Sequence, residues 1–327
     1  MRRREFLFRF GGVAASLPLA AHAQQTATPT IGLLGGVSPE GYSQFVTGLL
    51  QGLKEGGFAD GANLRIEQRW ARGQLDQVPA LAADLVQRRA ALLITVGGTS
   101  VAVAVQKTGT KIPLVFAIGS DPVEDGLVAT LNRPGGTTTG VTFFTNALLA
   151  KRLELLQELA PRARLIGALV NPKNARATRD SNDIQEAARH IGASVVLMRA
   201  STADELDTAF DKLTGEHADA LLVTSDAFFT SRREQLAVLA ARHAVPAIYG
   251  TRDFAAAGGL VSYGADVVDS HRQAGAYAAR ILKGEKPGDL PVMQPTKFDL
   301  VLNIRTAKAL GLVLPATLLA RADEVIE

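Results

Sequence analysis

Glycine and hydroxyl side chains follow an apolar run in the first half of the sequence and open a helical pattern. The run 92–96 leads into Gly98, Thr99 and Ser100. Backbone N–H groups at such a helix start can bind a carboxylate or another anion, and the two hydroxyls can assist. The same hydroxyls could instead simply cap the helix. The spacing therefore indicates either an anion site or a plain helix cap.

Two more polar clusters follow apolar runs in this half of the sequence. One run leads into Gly119, Ser120 and Asp121. Asp121 could hold an ammonium group, or it could cap the turn that comes next. Ser38 and Tyr42 follow the first apolar run and are further candidates for contact with a ligand. All of these positions are expected at the carboxyl ends of strands, where open α/β sheets bind their ligands.

The second half of the sequence carries a comparable set of polar and aromatic residues after its apolar runs. Asp226 could bind an ammonium group opposite the anion site, so that each half would take one charge of a zwitterion. A helix cap or a solvent-exposed loop position is an equal alternative for Asp226, and core packing is the simpler role for each aromatic side chain. The candidate ligand contacts in this half are Asn171, Asn174, Asp226, Phe228, Tyr249 and Thr251.

The sequence lacks the motifs of several common enzyme classes. The glycines at 32–36 do not have dinucleotide-binding spacing, and no phosphate-binding loop is found. Ser100 lacks the glycine that would close a nucleophile elbow. The chain has no Cys, and no two of its five His have metal-ligand spacing. We therefore predict no catalytic residues, no metal site and no cofactor.

Residues 1–23 have the features of an export signal. Arginines lead into a mildly apolar run that ends in Ala21-His22-Ala23, a pattern typical of a cleavage site. Arg3 to Leu7 resembles the twin-arginine motif, and the general secretory route is the alternative. The net charge of +3 lies entirely in this segment, so the mature chain is neutral. A neutral chain lacks the basic surface of a nucleic-acid-binding protein. We predict a periplasmic protein that binds no nucleic acid.

Short apolar runs alternate with amphipathic helical patterns from residue 30 to residue 250. Continuous apolar runs are typical of buried parallel strands, and their alternation with helices indicates βαβ units. Two such series occur in tandem. The pattern therefore predicts an α/β fold of two lobes, each with a doubly wound parallel sheet.

The segment 251–327 is too short for a third α/β domain, so we expect the two lobes to share it. Its first strand, at 260–263, and the helix that follows are expected to complete lobe 1. The predicted division is 1–23 for the signal peptide, 30–143 plus 252–293 for lobe 1, and 144–251 plus 294–327 for lobe 2. Three crossings between the lobes would form a hinge of three segments. These crossings are predicted at 142–145, 249–253 and 291–296.

Four stretches of the sequence carry a family resemblance: IPLVF at 112–116, DPV at 121–123 with GLV at 126–128, RPGGTTTG at 133–140, and NIRTAKALGL at 303–312. They resemble the substrate-binding proteins of ABC importers of the tryptophan/tyrosine type. The resemblance covers about 30–327. It implies a periplasmic-binding-protein type I fold with the ligand in the cleft between the lobes.

The resemblance also implies a function and a set of contacts. The protein would deliver a small-molecule solute to an ABC permease in the membrane, with ATP hydrolysed by a separate subunit. The implied ligand contacts are 98–100, 119–121, Asn171, Asn174 and Asp226. Similar family members are linked to aromatic amino acids, so we expect a carboxylate-bearing solute such as an aromatic amino acid. Gly97 and Gly98 depart from the family pattern and could admit another ligand.

Other functions remain open for a two-lobed exported protein. The same cleft could serve a sensory protein that presents a solute to a membrane receptor, or an exported α/β enzyme. A sugar-responsive repressor shares the two-lobed fold, but the export signal stands where its DNA-binding helices would be. We expect the protein to be a monomer.

Overall fold

The apolar runs of the sequence form β-strands in the computed structural model, which describes residues 28–327. The predicted export signal lies outside these residues. The strands of lobe 1 are β1 (Thr30–Gly35), β2 (Arg65–Trp70), β3 (Leu92–Val96), β4 (Leu114–Ile118) and β5 (Thr138–Thr142). They form a parallel sheet in the order β2-β1-β3-β4-β5.

Lobe 2 contains a larger sheet. Its strands are β6 (Leu165–Val170), β7 (Ser194–Arg199), β8 (Ala220–Val223), β9 (Ala247–Tyr249), β10 (Val261–Gly264), β11 (Asp299–Asn303) and β12 (Glu324–Ile326). Their order is β12-β11-β10-β9-β8-β6-β7. Only the pairing of β10 with β11 is antiparallel within this sheet.

Helices cover both faces of each sheet. They are α1 (Pro39–Glu55), α2 (Val78–Gln87), α3 (Thr99–Lys107), α4 (Leu149–Leu159), α5 (Ala177–His190), α6 (Ala203–Gly215), α7 (Ala227–Ser231), α8 (Arg233–Arg242), α9 (Arg252–Ala256), α10 (Val267–Leu282), α11 (Ile304–Ala309) and α12 (Ala316–Arg321). Neighbouring residues of β1 pack into different cores, Leu33 on one face and Leu34 on the other. The doubly wound α/β prediction is confirmed by this two-sided burial.

Helix α10 returns to lobe 1 and packs closely against α1. Three glycines allow this approach. A Cβ on Gly52 would lie 1.8 Å from the carbonyl oxygen of Arg272, and one on Gly275 would lie 2.0 Å from that of Leu49. A Cβ on Gly48 would lie 2.7 Å from the carbonyl oxygen of Val268. The C-terminal part of the chain therefore completes lobe 1, as the sequence predicts.

The strand predicted at 260–263 belongs to lobe 2, and its assignment to lobe 1 is wrong. It forms β10, which pairs in parallel with β9 and antiparallel with β11. The short helix α9 connects β9 to β10, which keeps the chain in one sheet. The middle crossing therefore lies at 265–266, between β10 and α10, instead of at 249–253. The other crossings follow β5 and precede β11, close to their predicted positions.

Two strands escaped sequence prediction. Strand β5 contains three threonines and Gly140, and it follows a glycine- and proline-rich turn. Such residues resemble a loop, yet every residue of β5 is buried. A Cβ on Gly140 would lie 2.2 Å from the carbonyl oxygen of Phe116, so the glycine lets β5 pair closely with β4. Strand β12 is an edge strand of three residues. None of the helices within residues 28–327 has both the length and the apolar character needed to cross a membrane.

Candidate ligand-binding site

The carboxyl ends of the two sheets enclose a cavity between the lobes. Its volume is about 60 Å³. Small-molecule sites in proteins occupy about 300–1,000 Å³. From the predicted set, this cavity is lined by Tyr42, Gly98, Thr99, Gly119, Asn174, Asp226 and Thr251.

A wider space of about 390 Å³ adjoins this cavity. The two share Gly98, Thr99, Asn174 and Asp226 in their walls. The predicted residues found only in the wider space are Ser38, Ser100, Asn171 and Phe228. The inner cavity alone is smaller than a typical small-molecule site, so the candidate ligand site is this cavity together with the wider space that forms its entrance.

The lobes contact each other across the entrance. Arg233, at the start of α8, donates from Nη1 to the carbonyl oxygen of Gly41 at 3.0 Å. A Cβ on Gly41 would lie 2.7 Å from that of Ser231 in α7. Arg179 in α5 forms two hydrogen bonds with Glu124 of lobe 1, at 2.7 and 3.0 Å. These contacts hold the two lobes in a closed arrangement.

The start of α3 leaves its backbone N–H groups open toward the cavity. Its N-cap residue is Gly98, with φ of 118°, and no side chain caps the helix. Capping by Thr99 or Ser100 is therefore wrong. The N–H of Val101 donates to the carbonyl oxygen of Gly98 at 3.2 Å, so the N–H groups of Thr99 and Ser100 are the ones that can bind an anion.

The structure determines whether the Thr99 hydroxyl donates or accepts a hydrogen bond, which the sequence alone does not. Thr99 Oγ1 lies 2.7 Å from Ser120 Oγ, and Ser120 donates its own hydrogen to the carboxylate of Asp125. Because a hydroxyl has a single hydrogen, Thr99 must donate to Ser120. The free lone pairs of Thr99 Oγ1 then face the cleft as a hydrogen-bond acceptor. The hydroxyl suits an ammonium group, and anion binding falls to the backbone.

Asp226 is held rigidly at the lobe 2 side of the cavity. Its two oxygens accept hydrogen bonds from Asn171 Nδ2 at 2.9 Å and from Asn174 Nδ2 at 2.8 Å. The N–H of Phe228 also donates to it, at 2.9 Å, so Asp226 caps α7. Burial raises the pKa of Asp226, and the hydrogen bonds partly offset this shift. The exposed-loop alternative is wrong: Asp226 is both a helix cap and part of the cavity wall.

Aromatic and aliphatic side chains form the apolar part of the cavity. Tyr42 of α1 lines it, and the Tyr42 and Phe45 ring centroids are 4.6 Å apart. Burial raises the pKa of Tyr42, which keeps its phenol protonated. Phe143 and Phe254 also line the cavity and were missed, because Phe143 follows the unrecognised strand β5 and Phe254 lies within α9. These rings provide a surface for a flat apolar group.

Three predicted residues line neither space. Ser120 is buried behind Thr99, as described above. Asp121 accepts hydrogen bonds from the N–H groups of Val123 and Glu124, which is its turn-capping alternative. Tyr249 is fully buried and stacks on Phe254, with ring centroids 4.6 Å apart.

The cavity wall also includes polar residues outside the predicted ligand contacts, among them Arg176 and Ser225. Arg176 reaches the cavity and contacts Glu124 of lobe 1 at 3.3 Å. Ser225 lines the cavity and accepts a hydrogen bond from the buried Arg152. Ser225 follows β8 next to Asp226. It therefore lies at the carboxyl end of a strand, where open α/β sheets bind their ligands, and the same rule that selected Asp226 applies to it.

Comparison with known proteins places this geometry in a family. A family model described as "ABC transporter substrate binding protein" matches residues 30–326. A curated tyrosine-binding protein from Clostridioides difficile strain R20291 is 28% identical over 265 residues, which is 81% of this chain and 76% of that protein.

Solved structures share the fold over most of the chain. A conserved domain protein from Vibrio cholerae has a TM-score of 0.83 at 28% identity, covering 91% of this chain and 99% of that one. An ABC domain from Streptococcus pneumoniae in complex with L-Trp has 0.81 at 25% identity, covering 92% and 100%. A ligand-free, open substrate-binding protein from Clostridium difficile has 0.62 at 26% identity, covering 91% and 99%. The predicted type I fold is confirmed, and the chain belongs to the ABC transporter substrate-binding protein family.

Proposed function

We propose that this protein captures an aromatic amino acid in its inter-lobe cavity and delivers it to an ABC permease. The observation that carries the proposal is Asp226, whose carboxylate is fixed by two asparagine amides in a cavity wall that also contains three aromatic rings. A buried carboxylate is costly unless it is paired. An ammonium group of the ligand would supply the missing positive charge.

The opposite wall suits the other charge of a zwitterion. The uncapped start of α3 would receive the ligand carboxylate, and Thr99 Oγ1 would join Asp226 as an acceptor for the ammonium group. Tyr42, Phe143 and Phe254 would enclose the side chain of the ligand. In this arrangement the backbone N–H groups act as donors to the carboxylate, and Thr99 Oγ1 and Asp226 act as acceptors from the ammonium group. These are the roles that the hydrogen bonds within the protein leave available to them.

Comparisons support an aromatic ligand. One relative is named as a tyrosine-binding protein, and one structural neighbour contains L-Trp. This chain also has a higher TM-score with the L-Trp complex, 0.81, than with the ligand-free, open structure, 0.62. The identities are nearly equal, at 25% and 26%, and a difference in lobe arrangement would account for the two scores. This agrees with the closed contacts between the lobes.

Closure would couple binding to delivery. The anion-binding helix start belongs to lobe 1 and Asp226 belongs to lobe 2, so a zwitterion reaches both only when the lobes are closed. Its differential affinity would shift the protein toward the closed form, which docks on the permease. Export through the signal at 1–23 would place the protein in the periplasm as a monomer. A separate ATPase would supply the energy, because the sequence has no phosphate-binding loop.

Calorimetric titration tests the proposal. We expect L-tyrosine and L-tryptophan to bind to the purified protein, and 3-(4-hydroxyphenyl)propionate, which lacks the amine, to bind about tenfold more weakly or worse. The amine-free acid is a matched control because it retains the ring and the carboxylate. Equal affinity for the acid and for tyrosine would remove the ammonium role of Asp226. Absence of binding by any aromatic amino acid would overturn the substrate class.

A further inference from the structure

A buried guanidinium lies directly beneath the ligand cavity. Arg152 of α4 is fully buried and forms no ion pair with a carboxylate of residues 28–327. Its hydrogen bonds go to Tyr263 O at 2.8 Å, Ser225 Oγ at 3.0 Å and Gly250 O at 3.4 Å. Asp180 adds an electrostatic attraction that favours the charged form of Arg152. Burial lowers the pKa of Arg152 to about 9, so it remains a cation at neutral pH.

Arg152 fixes the direction in which Ser225 can form hydrogen bonds. Ser225 Oγ accepts the N–H of Arg152, which leaves its own hydrogen to donate. Within residues 28–327 that hydrogen has no acceptor. Ser225 lines the inner cavity. Its hydroxyl therefore presents a donor to the cleft, strengthened by the neighbouring positive charge.

Gly250 makes this arrangement possible. A Cβ at position 250 would lie 2.5 Å from Ser225 Oγ and 3.2 Å from Arg152 Nη2. Any larger residue would push the hydroxyl or the guanidinium out of place. The glycine thus allows Arg152 to approach the floor of the cavity without being exposed in it.

Ser225 and Asp226 face different sides of the same strand end. Strand β8 lies between β6 and β9 in the sheet. Asp226 bonds to Asn171 and Asn174, which follow β6, whereas Ser225 and Arg152 meet Gly250, which follows β9. Lobe 2 therefore offers an acceptor on the β6 side and a donor on the β9 side. A ligand that spans both must match this polarity.

We infer that Ser225, positioned by the buried Arg152, donates a hydrogen bond to an oxygen atom of the amino-acid ligand. The inference rests on the proposed function and adds a further ligand contact to it. Ser225 would be the contact residue, and Arg152 would be a positioning residue that acts through it. The oxygen acceptor could come from the ligand carboxylate or from a ring hydroxyl.

Affinities of Ser225→Ala for three ligands distinguish these sources. L-phenylalanine lacks the ring oxygen and tyramine lacks the carboxylate, so each serves as a control for L-tyrosine. If the ring hydroxyl is bound, the variant loses about tenfold for tyrosine and tyramine and stays within about threefold for phenylalanine. If the carboxylate is bound, the loss affects tyrosine and phenylalanine and spares tyramine. Equal losses for all three ligands, or no loss, would overturn the inference.

A double-mutant cycle tests the role of Arg152. Arg152→Met should reproduce the ligand preference of Ser225→Ala, and the double variant should show no further change in preference. An additive change would mean that Arg152 does not act through Ser225. Arg152→Lys, which retains a donor and the charge, should restore the preference in part. If the methionine variant fails to fold, Arg152→Lys should show a preference between those of the wild type and Ser225→Ala, and a change that adds to that of Ser225→Ala would overturn the role of Arg152.

A crystal structure of the wild-type complex with L-tyrosine gives an answer that does not depend on any variant. We expect Ser225 Oγ to lie about 2.6–3.0 Å from a ligand oxygen. A ligand carbon or nitrogen facing Ser225 would overturn the inference while leaving the proposed function intact. Failure of the wild type to bind tyrosine and tryptophan would overturn the proposed function itself.

Discussion

The two walls of the cleft hold their polar groups in different ways. Lobe 1 offers the uncapped backbone of α3, and the hydroxyl of Thr99 is oriented by Ser120. Lobe 2 offers polar side chains, with the carboxylate of Asp226 fixed by asparagines and the hydroxyl of Ser225 by Arg152. Backbone N–H groups do not titrate and survive most substitutions. The difference implies that charge recognition in lobe 2 is sensitive to mutation and pH, whereas that in lobe 1 depends on backbone geometry.

Asp226→Ala should give the largest loss of affinity, because it removes the fixed charge of lobe 2. A hydrogen bond to a charged group contributes about 1.5–3 kcal/mol, so we expect amino-acid binding to weaken about tenfold to a hundredfold. Titration calorimetry measures this change, and the melting temperature reports whether the variant is folded. Asp226→Asn is the matched control, since it keeps the size of the side chain and loses the charge. Unchanged affinity in both variants would exclude Asp226 from the site.

Lowering the pH should reproduce part of that loss in the wild type. Burial raises the pKa of Asp226, so its carboxylate becomes protonated at a higher pH than an exposed aspartate does. Affinity for the amino acid should therefore fall as the pH decreases through this pKa. The contribution to folding has the opposite sign: the protonated buried form favours the folded state, and this stability is lost as the pH rises through the pKa.

Comparing the ligand affinities of the wild type and Asp226→Asn separates the protonation of Asp226 from that of other groups. The difference in affinity between wild type and variant should shrink as the pH falls, because both then carry an uncharged side chain. Titrations at several pH values from about 4, near the ordinary pKa of an aspartate, up to about 8 provide the test. A difference that stays constant over this range would show that Asp226 does not titrate against the ligand.

Ligands of open α/β sheets bind at the carboxyl ends of the strands, and this rule accounts for the part of the site that the sequence could predict. Asp226 and Asn171 follow strands whose apolar runs are evident, so the apolar pattern alone locates both. Phe143 escaped because β5 is made mostly of threonine and glycine, and its burial comes from pairing with β4. Arg152 escaped for another reason. It lies on an amphipathic helix, where a charged residue normally indicates the solvent face, and its partners lie far away along the chain.

The error in the middle hinge crossing has a similar cause. Composition identifies β10 as a strand but does not say which sheet it joins. That choice depends on the three-residue strand β9 and on α9, which returns the chain to the same sheet. Elements can thus be recognised from local patterns, whereas their partners are decided by long-range packing. Lobe assignment was accurate where a long helix, α10, determined it.

Gly98→Ala tests whether lobe 1 depends on backbone geometry. Gly98 has φ of 118° and ψ of 146°, a conformation open essentially to glycine alone, and forcing it costs about 1–3 kcal/mol. We expect about a tenfold loss of affinity together with a lower melting temperature. Gly126→Ala, at φ of 71° with no atom within 4 Å of the added Cβ, is the control. It should lower the melting temperature and leave affinity unchanged, and equal affinity losses would indicate a general effect of strain.

Glu124→Gln should have a smaller effect, since it alters contacts between the walls. Glu124 of lobe 1 pairs with Arg176 at 3.3 Å and with Arg179 at 2.7 Å. Exposed pairs contribute up to about 1 kcal/mol, so we expect affinity to fall about two- to fivefold and the effect to fade at high salt. Glu285→Gln, which loses an exposed pair with Arg280 inside lobe 1, is the control. A matching loss in the control would mean that closure is not involved.

Ser100→Ala should give the smallest change, although Ser100 lies in the first turn of the helix that we expect to bind the carboxylate. Its side chain lines only the entrance, and it does not cap α3. The N–H groups that would bind the anion remain in the variant, so affinity should change less than about twofold. A loss of tenfold, measured by the same titration, would place the anion contact on the hydroxyl. Lobe 1 would then bind through a side chain as lobe 2 does, and the contrast between the two walls would disappear.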